Sequence, residues 1–228
     1  MIKWYGLTFQ NMGSPTAYLF DWFHDYCIIF LIYIIVFVGL LMYSLTFNFF
    51  VVKVFGNLQT LEFVWTILPA VILIFIGVPS MILLYNYDLD SGDLLTVKAS
   101  GHQWYWSYDY SDFPRVEFDS YMKLSEDLMI GEYRLLETDN RVILPFLCST
   151  RFIISSADVI HSWALPSMAA KVDANAGFMN TINLQFFVPG VYYGQCSEIC
   201  GANHSFMPIC VEVVSLALFK IWLNSFQD

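Results

Sequence analysis

The sequence predicts a two-helix transmembrane hairpin followed by an all-β sandwich outside the membrane. Two long uncharged apolar runs point to the hairpin, and a change to short β-type runs after residue 85 points to the sandwich. The composition agrees: 57% of the chain is hydrophobic, above the roughly 45–50% usual in soluble domains.

The first apolar run extends from Cys27 to Val52 and the second from Phe63 to Tyr85, and neither contains Asp, Glu, Lys or Arg. Each is long enough to cross a hydrocarbon core of about 30 Å. Pro69 and Pro79 in the second are tolerated because neighbouring groups satisfy the freed carbonyls. The link from Lys53 to Glu62 is short, so the helices run antiparallel and the chain before and after the hairpin lies on one side. The first run lacks a short apolar core followed by a small-residue cleavage pattern, and it reads as a retained anchor. Lys53, the single base in the link, weakly places the link inside. Residues 1–85 are therefore expected to form the N-terminal segment and hairpin, and residues 86–228 the extramembrane domain.

In that domain the runs LTVKA, HQWYWSYDY, RLLET, NRVILP, TRFIISS, TINLQFFV, VYYGQ and PICVEVV are rich in β-branched and aromatic residues. Their spacing is that of a sandwich or barrel, and the tail SLALFKIWLNSF has helical spacing. A sandwich gathers its loops at the ends, where a rigid scaffold can hold a site. The domain carries 17 acidic and 8 basic residues, a formal net of −9 out of −10 for the whole chain. That sign argues against nucleic acid and for a basic, lysine-rich protein partner steered by charge.

The most concentrated chemistry lies in CSEICGANHSFM, from Cys196 to Met207. Two thiolates, an imidazole and a thioether form a soft donor set that suits copper. Cys196 and Cys200 stand four apart, which in a helix-like turn brings Cβ atoms to roughly 5–6 Å. A mononuclear blue-copper site uses a single Cys, so two bridging thiolates imply two metal ions. His161, thirty-five residues before Cys196, supplies a second imidazole, an arrangement similar to cupredoxin sites. A Cys196–Cys200 disulfide, or structural zinc held by both with His204, would use the same residues, although Met207 suits zinc poorly. Cys27, Cys148 and Cys210 read as small buried hydrophobes.

The segment YYGQCSEICG at 192–201 closely resembles the binuclear copper motif of subunit II of the haem-copper cytochrome c oxidases. GHQWYWSY at 101–108, WTILP at 65–69, FDSYM at 118–122, RLLE at 134–137 and DNRV at 139–142 resemble that family too, in the same order. The length fits its mitochondrial branch. The resemblance implies a cupredoxin-like Greek-key sandwich in the intermembrane space, anchored in the mitochondrial inner membrane, with the helix link in the matrix. It implies electron acceptance from reduced cytochrome c and delivery to the haem and copper of subunit I, within a proton-translocating complex that has further subunits and membrane lipid around it. The chain itself lacks the histidines of an oxygen-reducing site, so it would be inactive alone.

Carried over residue by residue, the resemblance makes His161, Cys196, Cys200, His204, Met207 and the backbone carbonyl of Glu198 the copper ligands. It places the Glu198 carboxylate on a magnesium ion at the subunit I boundary, whose hardness suits oxygen. Trp104 becomes the entry point for electrons, Glu62 the mouth of a proton path, and Asp112, Asp119, Asp139 and Asp158 a docking surface for cytochrome c. More ordinary roles remain open for each: strand packing for Trp104, favourable placement at a helix N-terminus for Glu62, and turn caps for the aspartates. His102 is expected to be structural and His24 interfacial. The family commonly has Pro and Arg where Ala176 and Phe178 stand, which bears on the contact with subunit I. Rival readings are a quinol oxidase subunit, which would lack the copper ligands, a tethered copper carrier, and a scaffold with a disulfide loop.

Overall fold

The computed structural model describes residues 8–50, 56–87, 92 and 95–226. Two compact units are present, one made of the helices from Leu19 onward and the other of the β-rich region with the segment leading to Tyr18.

Helix α1 spans Pro15–Thr46 and α2 spans Gln59–Tyr87. Both are long and apolar enough to cross a membrane. α1 begins twelve residues before the apolar run because a cap sits there: Ser14 Oγ accepts from the Ala17 N–H at 3.1 Å, and Pro15 follows at the first helical position. Asp21, His24 and Asp25 therefore belong to the helix, His24 beside Asp25 at 3.2 Å. α1 ends at Thr46, where the expectation was Val52. The Asn48 side chain accepts from the Phe50 N–H at 2.9 Å in a local turn that competes with helix. Residues 51 and 52, and the link's Lys53, lie outside the described residues.

The β-rich unit contains two main sheets and a ribbon. The first sheet has the order β3-β2-β1-β5-β8, from Glu117–Ser120, Tyr105–Tyr110, Leu95–His102, Ser149–Ser156 and Asn180–Gln185. The second has the order β4-β10-β9, from Val142–Pro145, Pro208–Val214 and Gly190–Gln195. β6 (His161–Leu165) and β7 (Ala170–Ala174) form the ribbon. α3, Leu216–Asn224, closes the chain with Ser215 as its cap.

The core follows from alternation on β2, where Trp106, Tyr108 and Tyr110 point inward and are essentially fully buried. Leu144, Phe152, Ile154, Trp163, Ile209 and Val211 are buried in the same unit, and Trp163 Nε1 donates to the Tyr108 hydroxyl at 3.3 Å. Each such large apolar side chain contributes about 1.5–3 kcal/mol by leaving water.

RLLET does not form a strand. Leu135 adopts φ 68°, and the Leu136 and Glu137 N–H groups both turn back to the Tyr133 carbonyl. Only Thr138 bridges, to Met122. β6 was not anticipated because all five of its residues are buried, which leaves no alternation to read.

Candidate metal centre

Three segments converge at one end of the sandwich. The first is the loop from Cys196 to Met207, which joins β9 to β10. The ladder between these strands ends at Gln195 opposite Pro208, so both ends of the loop start from a fixed separation. The second is β6, whose first residue is His161. The Ser162 carbonyl accepts from the Ser197 N–H at 3.0 Å, which docks β6 along the loop. Gly194 permits this approach, since a Cβ there would lie 1.9 Å from the Ala164 carbonyl oxygen. The third is the β1–β2 turn with Gln103 and Trp104.

The loop is irregular between Cys196 and Cys200, without the helix-like turn that the spacing suggested, and only His204–Phe206 form a 3-10 turn. Its curl nonetheless turns the sulfur atoms inward. Cys196 Sγ and Cys200 Sγ are 4.0 Å apart. His161 Nδ1 lies 4.0 Å from Cys196 Sγ, and His204 Nδ1 lies 3.5 Å from Cys200 Sγ. Met207 Sδ is 3.5 Å from Cys200 Sγ, and the Glu198 carbonyl oxygen is 3.3 Å from Cys196 Sγ. The Glu198 side chain itself is exposed.

The donor atoms of His161, Cys196 and Cys200 all lie within 4.8 Å of one another, and all three residues are buried. Bonds of about 2.3 Å to thiolate and 2.0 Å to imidazole put donors around one tetrahedral ion roughly 3.5–3.8 Å apart. The separations from Cys200 to His204 and Met207, both 3.5 Å, fall in that range, and the two at 4.0 Å lie a few tenths of an ångström beyond it. All five cysteines are free, and a disulfide needs sulfurs about 2.05 Å apart, so the disulfide alternative fails. Burial foremost, then the neighbouring Cys196, pushes the Cys200 thiol up to about 12.

A second layer holds these donors. His161 Nε2 meets Asp158 Oδ1 at 2.8 Å, and Asp158 Oδ2 accepts from the Gln103 N–H at 2.7 Å. Burial alone would raise the Asp158 carboxyl, but hydrogen bonds from His161, Gln103 and Val159 outweigh it and hold the group below its ordinary value. Gln103 Nε2 and Trp104 Nε1 both donate to the Cys200 carbonyl, at 2.8 and 3.3 Å. Trp106 packs edge-on against His161, with ring centroids 5.9 Å apart, and its Nε1 donates to the Met207 carbonyl at 3.4 Å.

The other expected site residues lie outside this cluster. Glu62 is exposed in the first turn of α2. His102 stacks on Tyr105 and meets Ser107 Oγ at 3.1 Å, a structural role. Each of the four aspartates is engaged locally. Asp112 accepts from the Thr96 N–H at 2.6 Å, Asp119 accepts from the Tyr121 hydroxyl at 3.4 Å, and Asp139 accepts from the Tyr121 N–H at 2.8 Å. Asp158 is the one committed to a candidate ligand. Sequence reasoning missed Gln103, which carries no motif signal of its own beyond its place beside Trp104.

Fold and site together define a class: a membrane-anchored β-sandwich with a buried soft-donor metal site on its terminal hairpin loop. Comparison with known proteins narrows it. The family described as cytochrome c oxidase subunit II, periplasmic domain, matches residues 95–214, and its transmembrane domain matches residues 2–83. Cytochrome c oxidase subunit 2 of Yponomeuta malinellus is 49% identical over 228 residues, with 100% of both chains covered. That of Drosophila melanogaster is 48% identical over 225 residues, covering 99% of each. Among solved structures, the periplasmic domain of cytochrome oxidase subunit II from Bradyrhizobium japonicum matches with TM-score 0.57 and 41% identity, over 61% of this chain and 97% of that one. A mixed-disulfide intermediate between a thioredoxin-like protein and subunit II of cytochrome c oxidase matches with TM-score 0.53, at 41% identity, over 61% of this chain and 95% of that one.

The chain belongs to the cytochrome c oxidase subunit II family. It is accordingly a membrane protein and one subunit of an oxidase complex, with a subunit I and other subunits implied beside it.

Proposed function

We propose that His161, Cys196, Cys200, His204, Met207 and the Glu198 carbonyl hold a binuclear copper centre that accepts single electrons from reduced cytochrome c. From there the electrons pass to the haem and copper of subunit I, in a proton-translocating complex of the mitochondrial inner membrane. The observation that carries this is the pair of buried sulfurs 4.0 Å apart with one imidazole beside each. When bound, the two coppers would share one electron through the thiolates with little change in geometry.

The chain's own residues supply the rest. Asp158, with Nε2 of His161 protonated, leaves Nδ1 as the free donor facing Cys196. Gln103 and Trp104 fix the Cys200 carbonyl, so the half-buried indole of Trp104 is one hydrogen bond from a ligand residue. That short connection supports Trp104 as the point of electron entry. The burial of His161, Cys196, Cys200 and Met207 excludes water and keeps the donors from relaxing. The exposed Glu198 carboxylate suits a magnesium ion at the boundary with subunit I, and the exposure of Glu62 in the first turn of α2 supports its reading as the mouth of a proton path. Asp119 and Asp139, on the same acidic domain, fit a docking surface for cytochrome c.

Electron paramagnetic resonance of the assembled oxidase tests the reading. Hyperfine structure from one unpaired electron spread over two copper nuclei is expected, and Cys196→Ser or Cys200→Ser abolishes it. Survival of that pattern in both variants rejects the bridging assignment. Glu198→Ala should lose magnesium on metal analysis while keeping copper.

A further inference from the structure

The metal loop hangs from the β9–β10 hairpin, and a single buried acid ties those two strands together outside the loop. Glu137 is 2% exposed. Its Oε1 accepts from the Tyr193 hydroxyl on β9, and its Oε2 accepts from Arg141 Nη2 at 2.8 Å. Arg141 Nη1 reaches Glu212 Oε2 on β10 at 3.1 Å. In the ladder, Tyr193 stands opposite Cys210 and Glu212 opposite Val191. Glu137 thus grips both strands within a few residues of Cys196 and Met207.

The acid is itself firmly delivered. Its carbonyl accepts from the Lys123 N–H at 2.9 Å, and Tyr133, whose carbonyl accepts from the Glu137 N–H, packs edge-on against Tyr193 at 5.4 Å. Burial pushes the Tyr193 phenol upward and the adjacent Glu137 adds to that, so the hydroxyl remains a donor. Burial disfavours the Arg141 cation, yet the hydrogen bonds it donates to Glu137 and Glu212 outweigh it.

A buried ion pair is a poor way to gain stability, because desolvation offsets the attraction and apolar packing often does as well. It does specify geometry, since each group has few acceptable partners. A strand that slips by one residue presents its other face. Here a slip of β9 against β10 would change the separation of Gln195 and Pro208, and with it that of Cys196 and Met207.

We propose that Glu137 is a positioning residue for the metal centre, acting through Tyr193 and Arg141 to fix the register of the hairpin that presents the two thiolates. This rests on the copper reading above.

The experiment compares the assembled oxidase with Glu137→Leu, Glu137→Gln and Tyr193→Phe variants by copper analysis, paramagnetic resonance and potentiometry. Leu removes every contact, whereas Gln keeps the geometry without the charge, its amide oxygen accepting from Arg141 and its amide N–H donating to Tyr193. Full copper content is expected throughout, with hyperfine splitting and reduction potential shifted in the Leu and Phe variants and close to native in the Gln variant. Native spectra and potentials in both Leu and Phe overturn the proposal, as does a Gln variant altered as much as Leu, since charge would then be at work instead of geometry. If the Leu variant fails to assemble, the Phe variant decides: a shift supports the proposal and a native spectrum overturns it. A wild-type complex without the two-copper pattern defeats the copper reading itself, which separates the two failures.

Discussion

Two glycines and one aspartate show how closely single residues define the site. A Cβ on Gly194 would lie 1.9 Å from a backbone carbonyl oxygen that cannot turn aside. Gly194→Ala is expected to cost about 3 kcal/mol or more, as overpacking of a rigid neighbour does, and denaturant unfolding measures it. A Cβ on Gly101 would stand 2.8 Å from the His161 ring, so Gly101→Ala should perturb the metal spectrum at a smaller stability cost. Asp158 sets the orientation of the same ring, and such outer partners typically contribute 10–100-fold in metal affinity. Asp158→Ala is therefore expected to weaken copper binding by about 10–100-fold in competition with a chelator, and Asp158→Asn, which keeps an acceptor oxygen, by less. Four of the candidate donors were legible in the sequence because Cys196, Cys200, His204 and Met207 fall at short regular spacing in one loop. The contributions of Asp158, Gln103 and Gly101 were not, since each arises from a contact between segments and none from a pattern.

At the scale of elements, the β9–β10 hairpin carries the candidate metal loop and its partner strands hold it. Cys210 lies inside it, 1% exposed, with its thiol pushed up to about 12 by burial, a shift that Arg141 tempers and Glu137 reinforces. In the unfolded chain a thiol titrates near about 8.5. Above that pH the folded state binds more protons than the unfolded one, so stability falls as pH rises. The expected result is a loss of domain stability that sets in above about pH 8.5 and is smaller in Cys210→Val, together with little alkylation of Cys210 in the folded protein at pH 8. Seven of the ten strands among the described residues were visible as β-branched and aromatic runs. β3 is only four residues long, while β6 and β7 form a ribbon whose first strand is buried throughout, and neither leaves a period-two trace. The start of α1 was misplaced for a related reason. Hydrophobicity marks where a helix meets lipid, whereas Ser14 and Pro15 mark where it begins.

At the scale of the molecule, charge is divided from apolarity along the chain. The helices from Leu19 onward carry almost no charge, and the β-rich region carries nearly all of the −10. Such a field speeds the arrival of a basic partner without strengthening the final contact in proportion. Screening shortens its reach to about 10 Å at 0.1 M salt, so the second-order rate of electron acceptance from a lysine-rich cytochrome c should fall steeply with ionic strength. Individual acids should differ in a way that their hydrogen bonds foretell. Asp112 anchors the Thr96 N–H at 2.6 Å at the start of β1, so Asp112→Asn should act mainly on stability. The exposed Asp119 carboxylate accepts a long bond from the Tyr121 hydroxyl, at 3.4 Å, and is freer to meet a partner. Asp119→Asn should therefore slow association at low salt and leave the high-salt rate nearly unchanged, with the unfolding free energy within about 0.5 kcal/mol of the parent. Stopped-flow oxidation of cytochrome c across a salt series distinguishes these cases, and a rate independent of salt would show that the acidic surface serves solubility and not encounter.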